Sequence, residues 1–201
     1  PNIRVIIVSK TRDLASDFLG AIKERLTSPH YAELQARFAP PGGFREGSEQ
    51  WTQNKIFLSS EIRTSGEKDA TVQTLGIGGQ IYGRRSDLII LDDVVDSTNS
   101  HGYESQIKWI NSMVTNRLKG GSLVMVGTRL ASRDLYREVR SPERYLSGKS
   151  PWTYLAMPAV LEYADEDQDW VTLWPKSDKP DVDPMEAEPD PGPDGLYRMW
   201  D

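Results

Sequence analysis

At 201 residues, with 37% hydrophobic and 27% charged side chains, the chain can build one sizeable core but is poor enough in core residues that part of it should stay unpacked. It has no cysteine and only His30 and His101, which excludes disulfides, thiolate metal sites and an ordinary zinc site and fits a reducing cytoplasm; no apolar run approaches the roughly 20 residues needed to cross a bilayer. The net charge of −6 is uneven, because residues 162–201 carry 13 acids against Lys176, Lys179 and Arg198, a net of −10 that leaves +4 on the rest, and a mildly basic body can approach nucleic acid.

The chain opens on Pro1 rather than Met, with no signal-peptide pattern, and reads as a fragment or a processed piece. Ile3 to Val8 is an apolar strand. Thr11 can cap the helix that follows, whose Leu14, Phe18, Ile22 and Leu26 recur every four residues, with Ala15 and Leu19 beside them, as one apolar face until Ser28-Pro29 stops it. Residues 39–50 are loop-like in composition. Trp51 to Leu58 and Ala70 to Leu75 read as short strands, and residues 77–83 as a glycine-rich turn, together a small β meander.

Leu88 to Leu91 then run without polar alternation, as in a strand buried on both faces of a parallel sheet. The run ends in Asp92 and Asp93. A helix is predicted from about Tyr103 to Lys119, with Ile107, Ile110, Val114 and Leu118 as its stripe and Gly120-Gly121 as its stop. Ser122 to Gly127 reads as a second buried strand, ending in Thr128-Arg129. Another helix is predicted over about Ser132 to Arg144, and Thr153 to Met157 as a last core strand. Beyond Val160 the character changes: residues 175–193 hold six prolines among acids, a composition for a linker or disordered tail. The expected fold class is α/β, a mostly parallel sheet flanked by helices over residues 1–160, followed by an acidic Pro-rich tail over 161–201.

Two buried strands that each end in a polar cluster, separated by one helix, place both clusters where ligands sit in open α/β sheets. A strand that delivers two acids there can hold Mg²⁺ with Asp92 and orient a water with Asp93; the bland alternative is an acidic turn capping a helix. Thr128 and Arg129 could contact a transferring phosphate, or Thr128 could cap the next helix and Arg129 pair with an acid. Arg133, Arg137, Arg140 and Arg144 fall at i, i+4, i+7 and i+11, a helical stripe able to track DNA phosphates or, with Asp134, Glu138 and Glu143 interleaved, a solvated face.

Gly83-Arg84-Arg85-x-Asp87-Leu88-Ile89-Ile90-Leu91-Asp92-Asp93 resembles the Walker B region of phage large terminase subunits, and Val126-Gly127-Thr128-Arg129 resembles their coupling motif. Val8-Ser9-x-x-x-x-Leu14-Ala15, and Met157-Pro158-Ala159 followed by Leu173-Trp174-Pro175, are similar to family landmarks in the same order. The resemblance implies a Mg²⁺-dependent ATPase that drives double-stranded DNA into a procapsid. It would work as a homo-oligomeric ring in the host bacterial cytoplasm, transiently at the portal protein, with a small terminase subunit as partner and no membrane. It also implies roles. Asp92 would hold the metal, Asp93 would polarise water, Thr128 and Arg129 would couple hydrolysis to movement, and Arg84 or Arg85 could serve as an arginine finger across a subunit interface.

The largest departure from the family is the missing P-loop, G-x-x-x-x-G-K-[ST]. Gly148-Lys149-Ser150 has the right ending, but Glu143 replaces the first glycine, and Ser48 replaces the lysine after Gly42 and Gly47. In the family the P-loop and its strand precede the position of Ile3, so the chain is expected to be the central part of an ATPase domain, unable to bind ATP tightly alone, with the nuclease domain beyond Asp201. The competing expectations are a non-catalytic split or remnant piece that binds DNA or capsid, and another P-loop motor such as a helicase.

Overall fold

The structure, a computed structural model, describes residues 3–63, 66–81, 83–155, 160–162 and 171–172. The chain divides into two units, Pro1–Pro151 and Trp152–Asp201.

The first unit is built on a six-stranded sheet in the order β2-β3-β4-β1-β5-β6. Its centre is β1 (Val5–Ser9), which pairs in parallel with β4 (Val72–Gly76) on one side and β5 (Ser86–Asp92) on the other. β5 in turn pairs in parallel with β6 (Leu118–Val126). β2 (Gln50–Thr52) and β3 (Lys55–Phe57) form an antiparallel hairpin that extends the sheet beyond β4. The sheet is therefore mixed, with four parallel strands and the expected meander added at one edge. The single strand expected over Trp51 to Leu58 is this hairpin, because Gln53-Asn54 turns the chain.

Ile6, Val8, Ile89 and Leu91 are almost completely buried. They share one face of the sheet, since Ile6 lies opposite Ile89 and Val8 opposite Leu91. The other face carries Ile7, Thr74, Ile90 and Val124 in register. Helix α1 (Arg12–Thr27), capped by the Thr11 hydroxyl on the Leu14 amide at 3.2 Å, lies on that second face: its Ser16 hydroxyl meets the Thr74 hydroxyl at 3.1 Å. α1 packs with Ala15, Ser16 and Leu19, so of the expected apolar face the Ala15–Leu19 side is buried, while Leu14 and Phe18 stay 46% and 44% exposed. After a short turn over Pro29–Tyr31, α2 (Ala32–Phe38) closes this region.

The long helix expected from Tyr103 to Lys119 is a composite. α3 (Tyr103–Trp109) passes into a π-helical turn over Ile110–Val114 and a tight turn over Thr115–Arg117, and β6 then begins at Leu118. Gly120-Gly121 is thus inside a strand. Gly120 has φ +74°, and a Cβ on Gly121 would lie 2.3 Å from the Asp87 carbonyl oxygen, so the strands approach closely where β5 shifts register between Ser86 and Leu88. β6 is also not buried: Val124 and Val126 are 44% and 52% exposed. The helix expected over Ser132 to Arg144 is only α4 (Leu135–Glu138), because the buried Asp134 carboxylate caps it and Ser141-Pro142 prevents its extension. Residues 151–155 form no strand, and Tyr154 and Leu155 are exposed. Among the described residues no helix is long and apolar enough to cross a membrane.

In the second unit, β7 (Val160–Glu162) and β8 (Val171–Thr172) pair antiparallel. The rest of the expected acidic tail, Met157 and the Leu173-Trp174-Pro175 landmark lie outside the described residues.

At the start of the β1–β5 pair, Arg4 holds Asp87 through its Nε at 2.9 Å and its Nη2 at 2.8 Å, and reaches Glu67 at 3.1 Å. The Arg4 hydrogen bond keeps the Asp87 carboxyl below its ordinary value, so its contribution to stability is present at neutral pH and is lost as the pH falls through the folded value. Asp87→Ala should lower stability by about 1–3 kcal/mol. In urea unfolding, the difference from wild type should shrink below pH 3.8, the ordinary value of this carboxyl.

Candidate functional site

Two chain connections leave the centre of the sheet in opposite directions. β1 leads through α1 and the β2–β3 hairpin to β4 on its left, with α1 on the Ile7 face. β5 leads through α3 to β6 on its right. Parallel crossovers are right-handed, so the β5–β6 connection covers the Ile89 face, in agreement with the exposure of Val124 and Val126 on the other. The reversal of direction between β1 and β5 is a topological switch point, and ligands bind at the carboxyl ends of the strands there. β5 ends at Asp92 and β1 at Ser9, beside Lys10.

Asp92 and Asp93 both stand at this point. Neither side chain makes a hydrogen bond to another described residue, in contrast to Asp87, Asp96 and Asp134. Burial, and then the neighbouring Asp93 charge, push the Asp92 carboxyl above its ordinary value. Asp93 has φ +42°, the one positive φ among described non-glycine residues, while its amide still donates to the Val126 carbonyl at 3.1 Å. Such a conformation costs about 1–3 kcal/mol at a non-glycine residue, and aspartate is among those that tolerate it best. The strand pairing thus continues while the Asp93 side chain is turned away from the sheet's regular alternation.

Lys10 closes one side. Its ammonium binds the Asp96 carboxylate and donates to the Thr98 hydroxyl at 3.0 Å, so the end of β1 is tied to the loop after β5. The same Asp96 accepts from the Thr98 and Asn99 amides at 2.9 and 3.2 Å. Lys10 first, and Thr98 next, bring the Asp96 carboxyl down to about 2. Tyr136 closes the other side. Its hydroxyl donates to the Val126 carbonyl at 3.4 Å, and burial, then the Asp93 charge, push its phenol up to about 12. Gly127 makes room for it, because a Cβ there would lie 1.9 Å from the Tyr136 hydroxyl oxygen. Sequence reasoning passed over Lys10 and Tyr136. The signal for Lys10 was its place directly after a parallel strand; Tyr136 had none, since its role depends on a glycine nine residues earlier.

The other expected residues are more dispersed. Thr128 is exposed in the loop after β6 and does not cap α4; Asp134 does. Arg129 is held within the same loop, donating to the Ala131 and Ser132 carbonyls at 3.1 and 3.2 Å and lying 3.8 Å from Asp134. Arg84 is bound to Gln73 of β4. It precedes β5, eight residues before Asp92 and about 26 Å away at strand spacing, so it cannot reach the carboxylates of its own chain. The arginine stripe does not form, because α4 is four residues long. Arg133 and Arg144 instead converge on Glu138, at 2.9 and 2.6 Å, with Arg144 also on Glu104 and both guanidiniums over the Tyr103 ring. Arg137 donates to the Ser132 carbonyl, and Arg133, Arg137 and Arg144 line a polar cleft of about 380 Å³ that is closed by Glu138 and Glu143; Arg140 lies outside it.

Two hard-oxygen carboxylates without hydrogen-bond partners among the described residues suit Mg²⁺, which takes one or two carboxylates and fills its remaining positions with water and phosphate oxygens. Among the described residues there is no group of three or more His, Asp or Glu side chains able to hold a metal alone. Comparison with family models finds no match to the chain, and comparison with curated proteins finds none either.

Two outcomes test this geometry. The folded state holds the Asp92 proton more tightly than the unfolded state, so the ionised carboxylate costs stability at neutral pH. Asp92→Asn should therefore be more stable than wild type at pH 7, and the gain should vanish as the pH falls below 3.8, the ordinary value of this carboxyl; urea unfolding at pH 7 and 3 would show it. Gly127→Ala should destabilise by about 1–3 kcal/mol through the clash with Tyr136. In that variant phenolate absorbance should show Tyr136 ionising closer to its ordinary 10.0.

Proposed function

We propose that the chain is the central part of a Mg²⁺-dependent ATPase domain of the large-terminase type, which couples ATP hydrolysis to movement of double-stranded DNA into a procapsid. The observation that carries this reading is the pair Asp92–Asp93, without hydrogen-bond partners among the described residues, at the switch point among the parallel strands of the sheet. Asp92 would hold Mg²⁺, whose chemistry is to neutralise the phosphate charge that develops on transfer. Asp93, turned out by its left-handed backbone, would orient the attacking water. Thr128 and Arg129 follow the neighbouring parallel strand and sit where a change at the phosphates can reach the loop leading to α4. Arg84, remote from its own carboxylates, fits a finger supplied to a neighbour in a ring.

A second observation supports the reading. Within the first unit, the outer edge of β6 carries no described strand. The face beside it exposes Val124 and Val126, and Leu14 and Phe18 are exposed on α1, which lies on the same face. Each such half-exposed side chain forgoes about 1 kcal/mol of burial. A further parallel strand at this edge, joined to β1 by a right-handed crossover, would run its helix over that face. A strand, glycine-rich loop and helix preceding Ile3 would thus complete the sheet, cover the apolar side chains and bring phosphate-binding amides beside Asp92.

A second reading is a non-catalytic piece that binds DNA or capsid. The two separate in a form carrying a strand–P-loop–helix segment ahead of Pro1. There Mg-ATP turnover should appear, and Asp92→Ala should reduce it by about a hundredfold or more while thermal unfolding stays cooperative. Turnover that persists in Asp92→Ala would remove Asp92 from the metal role; no binding of Mg-ATP at all would favour the non-catalytic piece.

A further inference from the structure

We propose that Tyr136 is a positioning residue for Asp93: by gripping the backbone at Val126 and Gly127, where β6 ends, it holds the neighbouring Asp93 in its left-handed conformation. The consequence for chemistry rests on the reading of Asp93 as the carboxylate that orients water. The geometry of the grip does not.

The Val126 carbonyl is where the two residues meet. It accepts the Asp93 amide at 3.1 Å and the Tyr136 hydroxyl at 3.4 Å, and a carbonyl oxygen has a lone pair for each. The β5–β6 register ends with Asp92 opposite Val126, so the Asp93 bond comes just past the last paired position. There Asp93 takes φ +42°, a conformation that a non-glycine residue keeps only where its surroundings over-determine it. Val126 is exposed and lies on the edge strand among the described strands, so its own backbone needs a hold. Tyr136 supplies it twice. Its hydroxyl bonds the Val126 carbonyl, and its ring packs on Gly127, where a Cβ would lie 2.3 Å from Cζ and 2.9 Å from Cε1.

A tyrosine can act as an anchor only if it is itself anchored. Asp134 is completely buried and caps α4 on the Arg137 amide at 3.0 Å. Its other oxygen accepts the Leu130 and Ala131 amides at 3.2 and 3.4 Å, folding the loop after β6 back onto the start of the helix. On the far side of Tyr136, Glu138 receives Arg133 and Arg144, and Arg144 continues to Glu104 of α3. Leu135, Tyr136 and Val139 are buried between these ties. The phenol is thus presented from a short helix fastened on both sides, and the position of Asp93 depends on it through one shared oxygen.

The ring and the hydroxyl separate packing from positioning, because Tyr136→Phe keeps the contact with Gly127 and loses the bond to Val126. The test is amide hydrogen exchange of the full chain, read residue by residue by NMR. One net hydrogen bond changes an opening equilibrium by about fivefold. In Tyr136→Phe the Asp93 amide should therefore exchange about fivefold faster relative to the Ile89 amide, which reports the core. In an Asp93→Gly background, where a positive φ costs no strain, the same change should raise the relative rate at residue 93 by less than about twofold. Equal acceleration at Asp93 and Ile89 would mean that the hydroxyl supports the fold as a whole and would overturn the proposal, as would an equal effect in both backgrounds. The chemical consequence is read in the form carrying a strand–P-loop–helix segment ahead of Pro1. There Tyr136→Phe should lower kcat by about tenfold with KM for Mg-ATP unchanged, because Asp93 acts on the water and not on nucleotide binding. An unchanged kcat, with or without a raised KM, would overturn the positioning role. If wild type in that form turns over no ATP, the nucleotide reading fails, and the exchange rates still decide whether Tyr136 holds Asp93.

Discussion

The pairing of β1 with β5 is the constraint from which the rest of this structure follows. These two strands place the switch point, and both of their ends are fastened by charge: Arg4 on Asp87 at the start, Lys10 on Asp96 at the finish. Between these clasps lie Ile6, Val8, Ile89 and Leu91, almost completely buried. A one-residue slip between the strands would put Ile6 and Val8 on the face opposite to Ile89 and Leu91 and separate both clasped pairs. The clasps thus fix the register on which the position of Asp92 depends.

The sequence makes the parallel core legible because strands inside a parallel sheet write themselves as unbroken apolar runs, as Val5 to Val8 and Leu88 to Leu91 do, although Leu88 and Ile90 are half-buried rather than covered on both faces as expected. The carboxylates at the end of β5 follow directly. What periodicity misjudges is which apolar residues have a neighbour to bury them. Leu14 and Phe18 keep perfect helical spacing and still face outward, while the less conspicuous Ala15 and Leu19 do the packing. Gly120-Gly121 resembles a helix stop and is a close strand approach beside Asp87. Those decisions are made by tertiary contacts far away in sequence, and no local pattern encodes them.

The arginines show the same limit from the side of charge. Spacing alone aligns Arg133, Arg137, Arg140 and Arg144 on a helix, but a helix requires backbone as well as spacing, and Asp134 and Pro142 leave room for only four residues. Once the stripe is broken, Glu138 and Glu104 draw in two of its members. Lys23 and Trp51 are 28 residues apart and form no motif, yet the fold sets the Lys23 ammonium 5.4 Å from the ring centre. The partners of the cations are identified by the fold, and the cations that are regularly spaced are identified by the sequence.

The position of β1 at the centre of the sheet also determines how the molecule must be made. Val5 pairs with Leu88, a separation of 83 residues, and with Val72 on its other side. β1 therefore leaves the ribosome before either of its partners. At about 5–20 residues per second, synthesis of that interval takes about 4–16 s, during which the β5 edge of β1 has no partner. High contact order of this kind slows folding. Nascent-chain protection during that interval, by the ribosome surface or a chaperone, is thus a demand written into the strand order itself.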